Sequence, residues 1–172
     1  MRTIIRPEAE DDYDKITKIN SLAFGQENEG RLVEKLRSSE NFIPELSLVA
    51  EFDDKIVGHI LFTRIKIISE ISEHSSLALA PMSVLPDYQN QGIGSQLVRT
   101  GLMQGGLMEH KSVIVLGHPE FYPRFGFLPA SKWDIKSPFD VPDEVYMALE
   151  LEKDALKYVH GVVEYAKAFS EG

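Results

Sequence analysis

Val84-Leu85-Pro86-Asp87-Tyr88-Gln89-Asn90-Gln91-Gly92-Ile93-Gly94-Ser95-Gln96-Leu97 reads as a strand that ends, turns, and enters a helix through two glycines separated by one residue. At a helix N-terminus the first N–H groups lack an intrahelical partner and the dipole is positive, while glycine removes the Cβ that would hold an anion away. A diphosphate is the natural ligand of such a turn, and a tight strand-to-helix turn without a ligand is the alternative. The residues narrow the ligand. A Walker loop needs Lys and then Ser or Thr after its last glycine, whereas Ser95-Gln96 follows Gly94, so the nucleoside-triphosphatase reading fails. A dinucleotide fingerprint needs a third small residue where Leu97 stands and normally occupies the first βαβ unit of its fold, which weakens that reading too.

Outward from this loop, Leu77 to Val84 reads as a buried strand, Gln91 to Glu109 as a helix, and Ser112 to Gly117 as an apolar strand centred on Val113-Ile114-Val115-Leu116. One strand–helix–strand unit implies a parallel pair and a right-handed crossover. Upstream, Leu46 to Glu51 and Lys55 to Ile67 are β-rich runs joined by Phe52-Asp53-Asp54, whose aspartates suit a hairpin. Residues 3 to 6 form a short strand stopped by Pro7. Tyr13, Ile16, Ile19 and Ala23 then recur at helical spacing, and Leu32, Val33 and Leu36 mark a second helix.

The acidic cluster Glu8, Glu10, Asp11 and Asp12 lacks the Gly and terminal Glu of a calcium loop, and is expected to be a solvated, dipole-favoured helix start. Downstream, Pro119 opens a short helix over Glu120 to Phe125 that Gly126 ends, and Val145 to Leu151 is a strand. Residues 155 to 168 mix both signals, with Gly161 to Tyr165 expected as a strand. The order is α+β with one embedded βαβ crossover, in a single domain over residues 1–172.

Composition agrees with one globular core: 172 residues, 43% hydrophobic and 26% charged. With 18 basic against 27 acidic residues, the net charge of −9 argues against nucleic acid or an anionic membrane as partner and favours a cationic small molecule. Cysteine is absent, so no disulfide, thiolate metal site or Cys nucleophile is available. His59, His74, His110 and His160 show no metal-ligand spacing, and no metal is expected. The N-terminus lacks the apolar stretch of a signal peptide, which fits a cytoplasmic protein.

A second motif lies at Leu116-Gly117-His118-Pro119-Glu120-Phe121-Tyr122-Pro123-Arg124-Phe125-Gly126-Phe127. Together Gln89-x-x-Gly92-x-Gly94 and Tyr122-x-x-x-Gly126-Phe127 resemble the GNAT superfamily of acetyl-CoA-dependent N-acetyltransferases. Ile5-Arg6-Pro7, Val57-Gly58-His59-Ile60, Pro81-Met82-Ser83-Val84-Leu85-Pro86 and the run from Leu116 to Ala130 extend the likeness over most of the chain, especially toward the YhbS-like branch.

The resemblance implies a mixed, mostly antiparallel sheet flanked by helices, whose parallel fourth and fifth strands splay apart to admit acetyl-CoA. It implies cofactor contacts at Met82, Ser83, Val84, Gln89, Asn90, Gln91, Gly92, Ile93, Gly94, Ser95 and Phe125, with Met82 and Val84 acting through backbone atoms. Tyr122 resembles the family's general acid; a phenol of pKa about 10 keeps its proton at neutral pH and can donate it. Several members carry a glutamate on the fourth strand, but Leu77 to Ser83 has no carboxylate. His118, after the fifth strand, is then the base candidate, with a turn-holding role as its alternative and Glu51 and Glu120 as weaker candidates. Arg99 and Arg124 are candidates for a cofactor phosphate. The expected acceptor is a small-molecule or peptide amine, the expected mechanism direct attack in a ternary complex, and a homodimer is compatible. A non-catalytic acyl-CoA-binding or sensing domain is the other reading.

Overall fold

Asp53 and Asp54 both adopt positive φ, 51° and 62°, and so close a two-residue turn in which Phe52 faces Lys55. The hairpin they make joins the long strands β2 (Phe42–Phe52) and β3 (Lys55–Ile68), on which the sheet is built. The computed structural model describes residues 2–170. Before the hairpin come β1 (Thr3–Pro7), α1 (Tyr13–Phe24) and α2 (Asn28–Arg37). After it follow β4 (Glu73–Val84), α3 (Ile93–Leu107), β5 (Ser112–Leu116), β6 (Leu128–Pro129), β7 (Ile135–Lys136), β8 (Tyr146–Glu150) and β9 (Gly161–Glu164).

The strands form one mixed sheet in the order β1-β2-β3-β4-β5-β8-β6. Every neighbour along this path is antiparallel except β4 and β5, the parallel pair that α3 connects. Beyond the end of β2, β9 takes its place against β3 at Lys66 to Ile68, and β7 pairs parallel with β9. Both faces of the sheet are covered, so β3 is buried without interruption from Ile56 to Thr63. Val57, Phe62 and Leu79 pack with Leu97 and Val98 of α3 on one face. On the other, Val49 and Leu61 pack with Ile16 and Ile19 of α1 and Val33 and Leu36 of α2.

Two sequence expectations change. Glu10 and Asp11 are exposed as expected, but Glu8 and Asp12 are not solvated. Asp12 accepts from Arg6 at 2.7 and 3.1 Å and from the Ala9 N–H at 2.7 Å. The Arg6 guanidinium therefore holds the Asp12 carboxyl below the ordinary aspartate value. Glu8 accepts two bonds from Arg37, at 2.8 and 3.1 Å. The short helix after Pro119 is a single 3-10 turn, Tyr122–Phe125, ended by Gly126 at φ 101°.

Candidate functional site

The parallel ladder between β4 and β5 runs only from Leu77–Val113 to Leu79–Val115. Beyond Leu79 the two strands part, and a β-bulge between Ile60 and Phe62 in the β3–β4 register falls at the same level. A cleft of about 940 Å³ opens there, running from the N-terminus of α3 to Phe24, Glu29 and Leu32 of α1 and α2.

The hydrogen-bond phase decides which way β4 faces. Leu85 N–H donates to Val57 C=O at 2.8 Å, which makes Gly58–Val84 a pair whose own N–H and C=O groups point away from each other. Backbone groups of Val84, and by alternation those of Met82, therefore point toward the gap where β5 is missing. The Val84 carbonyl is taken by Gln89 Nε2 at 3.0 Å, a bond that ties the loop to the strand end. At the next level Asn90 and Gly92 adopt positive φ, 63° and 85°, and the second of these starts α3. No side chain caps the helix, and among the described residues the N–H groups of Ile93, Gly94 and Ser95 have no acceptor. Three free donors at a positive helix end, beside glycines, suit an anion.

Opposite this loop, Tyr122 is buried against Phe121 and Phe127, edge to face at 5.0 and 5.6 Å between centroids. Gly117 makes that seat: a Cβ there would lie 2.3 Å from the Tyr122 ring. Tyr122 lines the cleft, its hydroxyl has no hydrogen bond among the described residues, and burial pushes its pKa up to about 12. His118 lines the cleft mouth with an exposed ring, while its carbonyl accepts from the N–H groups of Phe121 and Tyr122 at 3.2 and 3.3 Å. It thus holds the turn through its backbone and leaves the imidazole free.

Met82, Ser83, Val84, Gln89, Asn90, Gly92, Ile93, Gly94, Ser95, His118 and Tyr122 all line this one cleft, as does Arg124. Gln91 and Phe125 do not: the Gln91 amide donates to the Asp87 carbonyl at 3.3 Å, and Phe125 packs on Phe121. Arg99 lies over the Phe125 ring, 5.2 Å from its centroid, outside the lining. Glu51 is bound to Arg6 at 2.6 Å away from the cleft, and Glu120 is exposed outside it. The sequence reading missed the wall from α1 and α2, where half-buried Glu29 accepts from Gln26 at 2.9 Å beside Phe24 and Leu32. No local pattern marks Glu29, which reaches the cleft only because α2 packs beside α1. Among the described residues no cluster of His, Asp or Glu is placed to hold a metal, and no helix is long and apolar enough to cross a membrane.

Residues 44–129, the segment that carries the open strand pair, the loop and Tyr122, match the model of the acetyltransferase (GNAT) domain. The chain belongs to the GNAT acetyltransferase family. It is 41% identical over 134 residues to the uncharacterized N-acetyltransferase YjhQ of Escherichia coli, covering 77% of this chain and 74% of that one. It is 31% identical over 168 residues to the uncharacterized N-acetyltransferase YhbS of the same organism, covering 97% and 98%. Among solved structures, Escherichia coli YhbS in complex with CoA superposes with a TM-score of 0.91 at 29% identity, over 99% of this chain and 93% of that one. A GNAT family acetyltransferase from Brucella melitensis in complex with acetyl-CoA superposes with a TM-score of 0.79 at 31% identity, over 98% of each chain. The GNAT fold, with its mostly antiparallel sheet, parallel β4–β5 pair and three flanking helices, is therefore that of this chain.

Proposed function

We propose that this protein transfers the acetyl group of acetyl-CoA to a primary amine by direct attack within one cleft. The observation that carries the reading is the convergence on that cleft of three unpaired helix N–H groups, the unpaired edge of β4 and the Tyr122 hydroxyl. The donor set suits the ligand bound in the two solved relatives. Ile93, Gly94 and Ser95 would hold the pyrophosphate, with Arg124 at the rim, and the backbone of Met82 and Val84 would pair with the amide-rich arm as an added strand.

Bound acetyl-CoA supplies the activated acetyl group and departs as coenzyme A. Around it, a backbone N–H near Val84 polarises the thioester carbonyl. His118, exposed at the mouth, takes the proton of the acceptor ammonium and returns it to solvent. Tyr122 keeps a proton at its Oη for the leaving sulfur. With no cysteine in the chain, no acetyl-enzyme forms through sulfur. Glu29, the only carboxylate among the described residues lining the cleft, favours a cationic acceptor, in line with the net charge of −9. A donor such as acetyl-CoA and the likeness to bacterial relatives support a cytoplasmic site for the reaction.

A panel of spermidine, kanamycin, lysine, 2-phenylethylamine and an alanine-terminated peptide, followed by release of coenzyme A thiol, tests the proposal. Thiol release above the acceptor-free rate with at least one amine is expected. Tight acetyl-CoA binding with no release would instead favour the acyl-CoA-sensing reading, for which the absence of a carboxylate on β4 at the cleft speaks.

A further inference from the structure

Three charged or titratable side chains line the cleft apart from Tyr122 and Tyr88: Arg124 and His118, already placed, and the carboxylate of Glu29. The other acids on this side of the molecule are answered within the protein. Glu8 takes Arg37, Glu27 takes Arg31, and Glu34 accepts from Thr17 Oγ1 at 3.0 Å. Glu29 accepts only from the Gln26 amide, at 2.9 and 3.1 Å to its two oxygens, and has no cation among the described residues. A neutral amide holds a carboxylate in place without compensating its charge. The first turn of α2, where Glu29 stands, favours that negative charge.

The way the two helices meet fixes what accompanies this carboxylate. Gly25, at φ 68°, ends α1 just after Phe24. Gly30 then lets α2 approach α1 so closely that a Cβ there would lie 3.0 Å from the Thr17 carbonyl oxygen. Leu32 follows Glu29 by three residues and so shares its side of α2. Phe24, Glu29 and Leu32 together give the cleft a wall of two apolar side chains and one carboxylate, and Phe24 leaves 43% of its surface exposed there. Of the two helices, α1 packs against β3 and β4, and α2 packs beside α1. The attacking nitrogen must meet the acetyl carbon where β4 and β5 part, beside Tyr122. Glu29 enters the cleft from the second helix, so its charge is offered to a different part of the acceptor.

We infer that the acceptor is an alkyl diamine or polyamine: one nitrogen takes the acetyl group at the β4–β5 gap, the methylene chain lies along Phe24 and Leu32, and a second ammonium pairs with Glu29. The inference rests on the acetyl-transfer reading and names its acceptor class. A second ammonium donates where Glu29 can only accept, and methylenes cover the apolar surface beside it. A monoamine of equal length leaves the carboxylate unanswered, and an amine that carries a carboxylate brings repulsion. The cleft thus sorts its two substrates by sign, the anionic end of CoA to the free N–H groups of α3 and the cationic tail of the acceptor to α2. Overall an ammonium and the thioester give an amide, coenzyme A thiol and one proton. The N–C bond forms as the C–S bond breaks, and the second ammonium is unchanged.

The test measures kcat/KM for α,ω-diamines from 1,3-diaminopropane to 1,8-diaminooctane and for n-alkylamines of equal carbon number, in wild type, Glu29→Gln and Glu29→Asp. In wild type the best diamine is expected to exceed its monoamine by on the order of 10-fold or more, as a bond to a charged group would give. In Glu29→Gln that ratio is expected to fall close to one, chiefly through KM, with coenzyme A affinity by calorimetry unchanged. Glu29→Asp, one methylene shorter, is expected to keep the preference and move the optimum to a longer diamine, a shift that a merely structural glutamate would not produce. Equal kcat/KM for diamines and monoamines in wild type, or a preference that survives Glu29→Gln, overturns the inference while the transferase reading stands. Thiol release with the peptide or 2-phenylethylamine and with no diamine does the same. A wild type that binds coenzyme A and releases thiol with none of these amines overturns both.

Discussion

Tyr122 is seated by what surrounds it more than by its own bonds: two phenyl edges, a glycine under the ring, and an open hydroxyl. Tyr122→Phe removes one oxygen and almost no volume. Turnover is expected to fall on the order of 100-fold while coenzyme A affinity and melting temperature stay put, as read by thiol release, calorimetry and thermal unfolding. Because burial raises the phenol to about 12, its protonated form persists above pH 10, and kcat of the wild type should not decline between pH 8 and about 11. Gly117→Ala places a Cβ on the ring and should lower kcat even though the hydroxyl is retained. Residues of this kind were legible where a motif carried them. Glu8 and Asp12 were not, because a carboxylate's solvation depends on its partner, and the partner of Glu8, Arg37, is 29 residues away.

At the scale of elements, the start of α3 carries the ligand argument. Gly92 needs its left-handed backbone at φ 85°, but Gly94 does not: a Cβ there would rest 3.5 Å from Met82, an ordinary contact. Gly94→Val therefore leaves the fold intact and puts branched carbon where a phosphate oxygen must approach the free N–H groups. Calorimetry should show acetyl-CoA affinity reduced by on the order of 10-fold or more, with unfolding little changed; equal affinity would remove the loop assignment. The hairpin and the crossover were readable because each has a turn signal or a run long enough to show its period, while the four-residue strand at Gly161 emerged from mixed signals only through its β-branched pair Val162-Val163. β6 and β7, two residues each, have no period at all, and the single turn after Pro119 is too short to show one. Where β4 and β5 part was foreshadowed only by family resemblance, since no spacing in the sequence marks the end of a ladder.

Across the whole molecule the sheet separates two environments, the α3 face with its loop and Tyr122, and the α1–α2 face, where His59 is wholly buried with Ser47 Oγ 2.9 Å from its Nε2. That buried histidine should show itself in stability. Burial lowers the His59 pKa from its ordinary 6.5 to about 3, with the Arg37 charge acting the same way. Between those values the unfolded chain holds a proton at this site that the folded chain refuses, so stability rises with pH there and falls on acidification. The slope approaches about 1.4 kcal/mol per pH unit, or about 2 kcal/mol between pH 6.5 and 5. Asp12 acts in a lower window. Its folded pKa is depressed by Arg6, so its contribution is complete above the unfolded value near 3.9 and is lost as pH drops toward the folded one. The two can be separated by urea unfolding at pH 7 and pH 5, where Asp12 is ionised in both states. Wild type should lose about 2 kcal/mol more than His59→Gln over that step. Equal losses in the two proteins would mean that His59 takes up a proton while folded.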